Sequence, residues 1–275
     1  MQSNDQKSSI PSSWISWQYP DGSQVSSRDI VAIGTNSIIV RSPDDHEIVK
    51  LPRLVKYING QALSDLEQVA EDSNRKLLQY ELEAYRRLAG LAGIAQFNGI
   101  RRGGIALRFY KAGSLETYLT TAVKPALRLR LRWMTEATHI LRICHHARVL
   151  LFDIALRNFV IAEDSSLRAI DFAQASVLSR HTDPCTANVD GLTAKVDMFH
   201  LGCLLYSLSS WSRFETDCDD EETWADSEQL PKTDGLAWGS IIRACWARQL
   251  TTVQQILDLS KSARARKRLA RRQRS

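Results

Sequence analysis

Cysteine is scarce in this chain, and its spacing excludes most of the structures that cysteine builds. The 275 residues contain five cysteines, an odd number, and no two of them are spaced as Cys-x-x-Cys. Neither a disulfide framework nor a zinc site is indicated, and we expect a reducing intracellular compartment, cytoplasmic and/or nuclear. The five are Cys144, Cys185, Cys203, Cys218 and Cys245.

Long hydrophobic runs are also missing. Stretches such as residues 201–206 fall far short of the ~20 apolar residues that a bilayer-spanning helix needs. Residues 1–13 are rich in Ser, Gln and Asp and have no apolar core, which is not typical of a secretory signal. The sequence therefore predicts no membrane span.

Acidic residues are absent from the last part of the chain. Residues 261–275 hold eight basic side chains, so the net charge of +5 becomes −3 for the remainder. This basic tail has three open interpretations: a disordered solubilising end, a nuclear-localisation or nucleic-acid patch, or a contact to an anionic surface such as a membrane. It has no aromatic residues, so base stacking is not indicated. In contrast, the acidic stretch 215–228 predicts a solvated loop.

Hydrophobic periodicity divides the chain into a strand-rich first third and a mainly helical remainder. Apolar runs around a Pro/Asp turn predict a β-hairpin within 30–51, and residues 1–27 are expected to be flexible, with Trp14 and Trp17 able to dock on the core or form a first strand. Further strands are expected at 93–97, 104–110, 159–161 and 169–170, and helices at 73–90, 126–146, 196–209 and 235–260.

Three polar residues stand out in the middle of the chain, and each of the two carboxylates among them follows an apolar run. Asp153 is followed five residues later by Asn158, and Asp171 comes thirteen residues after that. Two carboxylates and an amide at strand ends form a hard oxygen-ligand set suited to Mg²⁺ bound to phosphate. The alternative is that the two aspartates occupy turns and the asparagine is a cap.

Together these spacings resemble the eukaryotic-type protein kinase family, in particular small fungal protein-kinase-like proteins. In that family the catalytic loop Asp precedes an Asn by five residues and an Asp-Phe-Gly motif follows; here the corresponding segments are Asp153-Ile-Ala-Leu-Arg157-Asn158 and Asp171-Phe172-Ala173. The resemblance covers about residues 28–260. It implies an α+β, two-lobed protein-kinase-like fold, with a small β-rich N-lobe (about 28–108), a larger mainly helical C-lobe (about 109–260) and nucleotide between them.

The resemblance implies roles for the central residues. Asp153 would orient and accept the proton of the substrate hydroxyl, and Arg157 would compensate charge near the γ-phosphate. Asn158 and Asp171 would hold Mg²⁺.

It also implies an ATP site. Lys50 would hold the α/β-phosphates, paired with Glu81; Glu83 is the competing choice, on a different helical face. Gly34 is the one remaining glycine of a glycine-rich loop. The hinge that receives adenine would consist of Leu107 as gatekeeper followed by Arg108, Phe109 and Tyr110.

Two more segments match the family. Asp197 and Gly202 resemble its Asp-x-Trp-x-x-Gly helix, in which the aspartate would brace the catalytic loop, and Cys245-Trp246 resembles a pair in its last helices. We expect His145 and His146 to be packing residues.

The chain also departs from the family. The His-Arg that normally precedes the catalytic Asp is replaced by Leu151-Phe152, which leaves the bracing of the loop in question. The segment after Asp171 is short and lacks Ala-Pro-Glu. Side chains replace glycines of the phosphate loop, which weakens the approach of backbone N–H groups to phosphates.

The sequence therefore leaves three functions open. The first is an ATP-dependent protein kinase that transfers phosphoryl from Mg-ATP to a Ser, Thr or Tyr hydroxyl of an unknown protein substrate. The second is a pseudokinase that acts as a nucleotide-binding or scaffold protein, which the departures favour. The third is a small-molecule phosphotransferase.

Overall fold

A computed structural model describes residues 15–216 and 228–272, with side chains described as far as Ser262. Trp14 and most of the acidic stretch 215–228 lie outside the described residues. The chain is mixed α+β, as expected, and divides into two compact units. The first unit holds the described residues up to Gln79 together with Phe97–Phe109, and the second holds Tyr80–Gln96 and the residues from Tyr110 onward.

The first unit is built on a five-stranded antiparallel sheet. Its strands are β2 (Ile30–Ile33), β3 (Ser37–Arg41), β4 (Glu47–Pro52), β6 (Phe97–Arg101) and β7 (Gly104–Arg108). They are arranged in the order β2-β3-β4-β7-β6, so the hairpin predicted within 30–51 is confirmed as the β2-β3-β4 meander. Two further strands, β1 (Ile15–Trp17) and β5 (Val55–Tyr57), pair with each other.

One face of the sheet carries the core of this unit. Ile38 and Val40 of β3 alternate with more exposed neighbours and cluster with Val49 and Leu51 of β4, as a half-buried strand dictates. Tyr19 joins the same cluster. Part of the segment expected to be flexible up to residue 27 is therefore strand and core from Ile15 onward.

The helix α1 (Asp65–Leu88) begins earlier than the predicted position 73. Its start is a capping box: the backbone N–H and hydroxyl of Ser64 both donate to Glu67 Oε2 at 2.8 Å, and Glu67 N–H donates back to Ser64 Oγ at 3.4 Å. The local Ser-x-x-Glu signal outweighs the weak apolar periodicity of the first turns. The helix belongs to the first unit up to Gln79 and to the second from Tyr80.

The described part of the second unit contains α2 (Leu115–Thr121), α3 (Leu127–His146), α4 (Ala194–Ser210), α5 (Gly239–Trp246) and α6 (Val253–Arg272). The helices predicted at 126–146 and 196–209 are confirmed to within a few residues. The single helix expected over 235–260 is two helices. Because α6 continues to Arg272, most of the basic tail is helical rather than disordered along its backbone.

The helix α4 is the buried centre of this unit. Most of its length is buried, and Gly202 lets α5 approach, since a Cβ at this position would lie 2.9 Å from both Cys245 Cβ and Trp246 Nε1. Arg130 of α3 donates to the carbonyl oxygens of Leu208, at 2.9 Å, and Ser209 at the end of the helix. These bonds satisfy carbonyls that a helix end leaves unpaired.

Short antiparallel pairs connect the helices. They are β8 (Val149–Leu150) with β11 (Ser176–Val177), β9 (Phe159–Ile161) with β10 (Leu167–Ala169), and β12 (Asn188–Val189) with β13 (Leu192–Thr193).

The prediction of a strand at 93–97 is wrong, because Gly93 adopts a φ of 80° and Ile94 forms only an isolated bridge to Ala169. In the part of the chain that the structure describes, no helix combines the length and apolar character needed to cross a membrane.

Candidate functional site

The loop between β8 and β9 brings three predicted site residues into contact. Asp153 Oδ1 accepts from Arg157 Nη2 at 2.7 Å, and its Oδ2 accepts from Asn158 Nδ2 at 2.9 Å. The same amide nitrogen donates to the Asp153 carbonyl oxygen at 3.0 Å. A 3₁₀ turn at Leu156–Asn158 folds residues four and five positions on back toward the aspartate. The carboxylate orientation is therefore fixed from two sides.

Asp197 of α4 braces this loop, as the sequence predicts. It is fully buried and accepts from Leu151 N–H at 3.0 Å and from Phe152 N–H at 2.6 Å. Phe152 has a φ of 58°, a left-handed conformation that costs an ordinary residue roughly 1–2 kcal/mol. The two backbone bonds offset that cost and hold the loop directly before Asp153.

His145 has a polar role that the sequence analysis did not assign. Its Nε2 lies 2.7 Å from Asp197 Oδ2, and the residue is 8% exposed. The expectation that it merely packs is corrected, whereas His146 is exposed. Through Asp197, the loop is thus connected to a histidine of α3, although Leu151 and not a histidine stands two residues before Asp153.

The second predicted metal residue, Asp171, follows β10. The adjoining Ile170 N–H donates to the Asn158 carbonyl at 2.9 Å, which ties the segment of Asp171 to that of Asn158. Asp171 is exposed and has a φ of 59°. Its Oδ1 accepts from Ala173 N–H at 3.4 Å, so the carboxylate sits over the turn that follows it.

Glu81 lies at the same turn. It is 1% exposed, and its Oε1 accepts from Phe172 N–H at 3.3 Å. Phe172 packs edge-on against Tyr85, with ring centroids 4.8 Å apart, and the Tyr85 hydroxyl oxygen accepts from Asp171 N–H at 3.3 Å. Burial, with Glu81 and Asp171 nearby, raises the pKa of Tyr85 well above its ordinary value. Glu83 is exposed, which favours the choice of Glu81 over it.

The predicted nucleotide residues of the first unit lie on its sheet and loops. Lys50 is on β4 and only 6% exposed, a degree of burial that is unusual for a lysine. Gly34 lies between β2 and β3, and its N–H donates to Ser37 O at 2.8 Å in a tight turn. Glu81 and the three catalytic-loop residues belong to the second unit.

The predicted hinge coincides with the passage of the chain between units. Leu107 is buried and Arg108 exposed on β7, and the division falls between Phe109 and Tyr110. Phe109 N–H donates to the His46 carbonyl at 2.8 Å, so this group is already used within the first unit. The Arg41 guanidinium lies 4.4 Å from the centre of the Phe109 ring. Tyr110 is buried, and its hydroxyl oxygen accepts from Gln96 N–H at 3.1 Å.

A cavity of about 320 Å³ opens beside Asp153, and two of its residues were missed by the sequence analysis. Glu215 accepts from Arg157 Nη1 at 3.1 Å, so one guanidinium bridges Asp153 and Glu215. His200 also lines the cavity, three residues after Asp197 on α4 and hence on a similar face.

Burial lowers the pKa of His200, opposed by the carboxylates of Asp197 and Asp153. Its spacing from Asp197 was the one local signal that could have drawn attention to it.

The two residues predicted to hold Mg²⁺, Asn158 and Asp171, are not part of a larger cluster of metal-binding side chains among the described residues. Within the described residues no group of three or more His, Cys, Asp or Glu side chains is arranged to hold a metal ion. Asn158 uses its amide nitrogen to contact Asp153, and its backbone carbonyl accepts from the residue before Asp171. Mg²⁺ is commonly held by one or two carboxylates together with substrate phosphates and water.

Comparison with known proteins adds no assignment. No protein-family model matches the chain, and no curated protein matches it.

Proposed function

We propose that this chain is an ATP-dependent protein kinase that transfers a phosphoryl group from Mg-ATP to a Ser, Thr or Tyr hydroxyl of a protein. The two units would be the small and large lobes of a protein-kinase-like fold. The observation that carries the proposal is the Asp153 carboxylate, oriented by Arg157 and Asn158 on a loop whose backbone is bonded to the buried Asp197.

Asp153 is suited to the role of positioning base. A carboxylate has about four acceptor positions, so the bonds from Arg157 and Asn158 leave room for a substrate hydroxyl. The cavity beside it is large enough for the acceptor side chain. The oriented carboxylate would align that hydroxyl and take its proton as the phosphoryl group transfers.

The remaining residues are assigned to the nucleotide. Asn158 and Asp171 would hold Mg²⁺, which neutralises charge on the phosphates when bound. Lys50 would contact the α/β-phosphates with Glu81 as its partner, and Gly34 would lie over them. Leu107, Arg108 and Tyr110 would line the adenine position, whereas the Phe109 N–H is committed to His46.

The second candidate is a pseudokinase, which one observation favours. Arg157 binds Asp153 and also Glu215, and Glu215 is in turn bound by Arg213 at 3.0 Å. The guanidinium occupies one oxygen of the Asp153 carboxylate, and Asn158 occupies the other, so fewer acceptor positions remain for a substrate hydroxyl. The loss of glycines from the phosphate loop also favours a pseudokinase, because side chains there weaken the approach of backbone N–H groups to phosphates.

Nucleotide binding and phosphoryl transfer separate the candidates. We expect a fluorescent ATP analogue to bind the full chain more tightly with Mg²⁺ than with chelator, and radiolabelled γ-phosphate to appear on a protein acceptor. Binding without transfer to any protein would favour the pseudokinase. Transfer only to small alcohols or amines would favour a small-molecule phosphotransferase, and no nucleotide binding would refute all three functions in their ATP-dependent form.

A further inference from the structure

A second cavity in the second unit has four arginines among its lining residues. It measures about 580 Å³ and is formed where the end of α1, the end of α3 and the segment after β11 meet. Its cationic residues are Arg87, Arg142, Arg148 and Arg180, and His146 also lines it. Leu91 and Ile143 supply an apolar wall. Its described lining residues are all different from those of the cavity at Asp153.

No described carboxylate neutralises this cluster. Acidic residues are missing from the described lining, and none of the four arginines takes part in an ion pair with another described residue. Guanidinium groups remain charged at any physiological pH. Four such charges around one concave surface repel one another and create a positive potential that attracts an anion.

The cluster is held in place by the fold. Arg87 Nη1 donates to the carbonyl oxygens of Ala147, at 3.2 Å, and Leu178, at 3.3 Å. Arg148 has a φ of 65°, and its own carbonyl accepts from Leu178 N–H at 2.8 Å. Two walls of the cavity are thus tied together before any ligand arrives, which reduces the ordering cost of binding.

Two arginines are available to contact a ligand. Arg142 and Arg180 are exposed, and Arg142 lies one helical turn before His146 on the same face of α3. A guanidinium offers a planar pair of donors that matches phosphate oxygens. Four guanidinium groups carry more positive charge than one phosphate neutralises, and the cavity is large enough for a ligand with several phosphates.

We propose that this cavity binds a small anion that carries two or more phosphate groups. The ligand contacts Arg142 and Arg180 directly, with Arg87 and Arg148 shaping the site and contributing charge. This proposal does not rest on the kinase assignment, because it uses none of the residues given to nucleotide or catalysis.

Calorimetric titration of the full chain with pyrophosphate and with inositol hexakisphosphate tests it, in chelator so that Mg²⁺-dependent binding elsewhere does not contribute. We expect both to bind more tightly than inorganic phosphate, and binding to weaken as salt rises. The double variant Arg142→Ala/Arg180→Ala should lose about 100-fold in affinity, about tenfold for each charge-assisted contact. Arg142→Lys/Arg180→Lys should recover only part of the loss, because lysine lacks the planar fork.

Matched controls separate a built site from general charge. Arg128→Ala removes an exposed arginine near the other end of α3, and we expect less than a twofold change. The pocket variants change none of the residues assigned to the nucleotide, so a failure of the ATP assignment remains distinguishable from a failure here. The proposal would be overturned if Arg128→Ala lost as much pyrophosphate affinity as Arg142→Ala or Arg180→Ala alone. It would also be overturned if the folded chain did not bind pyrophosphate.

A phosphate group attached to a residue of this chain is the other possible source of phosphate for the cavity. Ser179 is exposed and next to Arg180. If mass spectrometry finds phosphate on Ser179 and the dephosphorylated chain still binds neither probe, the cavity serves a modified residue and the free-ligand proposal is wrong. Probe binding by unphosphorylated chain supports it.

Discussion

His145 Nε2 and Asp197 Oδ2 lie 2.7 Å apart, both buried, although the two residues are 52 positions apart in sequence. The same Asp197 carboxylate accepts the backbone N–H groups of Leu151 and Phe152. One side chain of α4 therefore connects α3 to the loop that carries Asp153. Buried hydrogen bonds from another helix thus hold the start of that loop, in addition to the bonds that Arg157 and Asn158 make within it.

Asp197→Asn should destabilise the chain. The amide presents one acceptor oxygen and two N–H donors to an environment of donors, and each unsatisfied buried group costs about 1–3 kcal/mol. We expect a loss of about 2–4 kcal/mol in the free energy of unfolding, measured with urea. Asp183→Asn, an exposed site, is the control; equal losses in both variants would contradict the role of Asp197.

Asp153→Ala should separate binding from chemistry. The carboxylate acts on the acceptor hydroxyl, so nucleotide affinity should stay nearly unchanged while phosphoryl transfer falls by about 10²–10⁴. The measured quantity is the ratio of transfer to binding in folded protein, with Asp72→Ala on the exposed side of α1 as control. If melting temperature and binding fall together and the ratio does not change, Asp153 only braces the loop.

Asp171→Asn should remove most of the Mg²⁺ dependence of nucleotide binding, because a neutral amide is a poorer ligand for a hard cation than a carboxylate. Titration of an ATP analogue with Mg²⁺ and with chelator gives the two affinities to compare. Asp190→Asn provides a matched change at another exposed aspartate with a positive φ, 51°. An unchanged Mg²⁺ effect in Asp171→Asn would reject its assignment as a ligand.

His200 should make the folded state less stable at acidic pH. Burial lowers its pKa below the ordinary 6.5, so the unfolded chain takes up a proton that the folded chain resists. Stability should therefore fall as pH drops through about 6.5, until the lowered folded pKa is reached. Urea unfolding at a series of pH values compares wild type with His200→Gln, in which this part of the slope should disappear; parallel curves would show that His200 does not contribute.

Gly93→Ala should cost far more than Gly90→Ala. Both glycines have a positive φ, 80° and 77°, so both variants carry similar backbone strain of roughly 1–2 kcal/mol. Only at Gly93 would the new Cβ meet a neighbour, Ile140 Cγ1 at 2.3 Å, and overpacking adds about 1–3 kcal/mol. Combining Gly93→Ala with Ile140→Ala, which removes both Cγ1 and Cδ1, tests the overlap, and the two losses should be less than additive.

Local sequence patterns were sufficient to predict the secondary structure of much of the chain. The apolar runs around Ser42–Asp45 predicted the hairpin, and the helical periodicity predicted α3 and α4 nearly to their ends, because burial of one face imposes a period on the sequence. The five-residue interval between Asp153 and Asn158 likewise predicted neighbours, since a single turn brings such residues together. The prediction missed the start of α1 because it rested on apolar periodicity, whereas the first turns are marked by the capping box at Ser64 and Glu67.

What the sequence by itself determined is the set of local elements and the short-range polar group on the Asp153 loop. Only the tertiary structure placed His145 against Asp197, Glu215 against Arg157, and Arg87 near Arg148 and Arg180. Residues 52 and 58 positions apart leave no periodic trace in the sequence, because their contact depends on how whole elements pack. Side chains that looked like packing or solvated charge acquire a chemical role only when another segment of the chain lies against them.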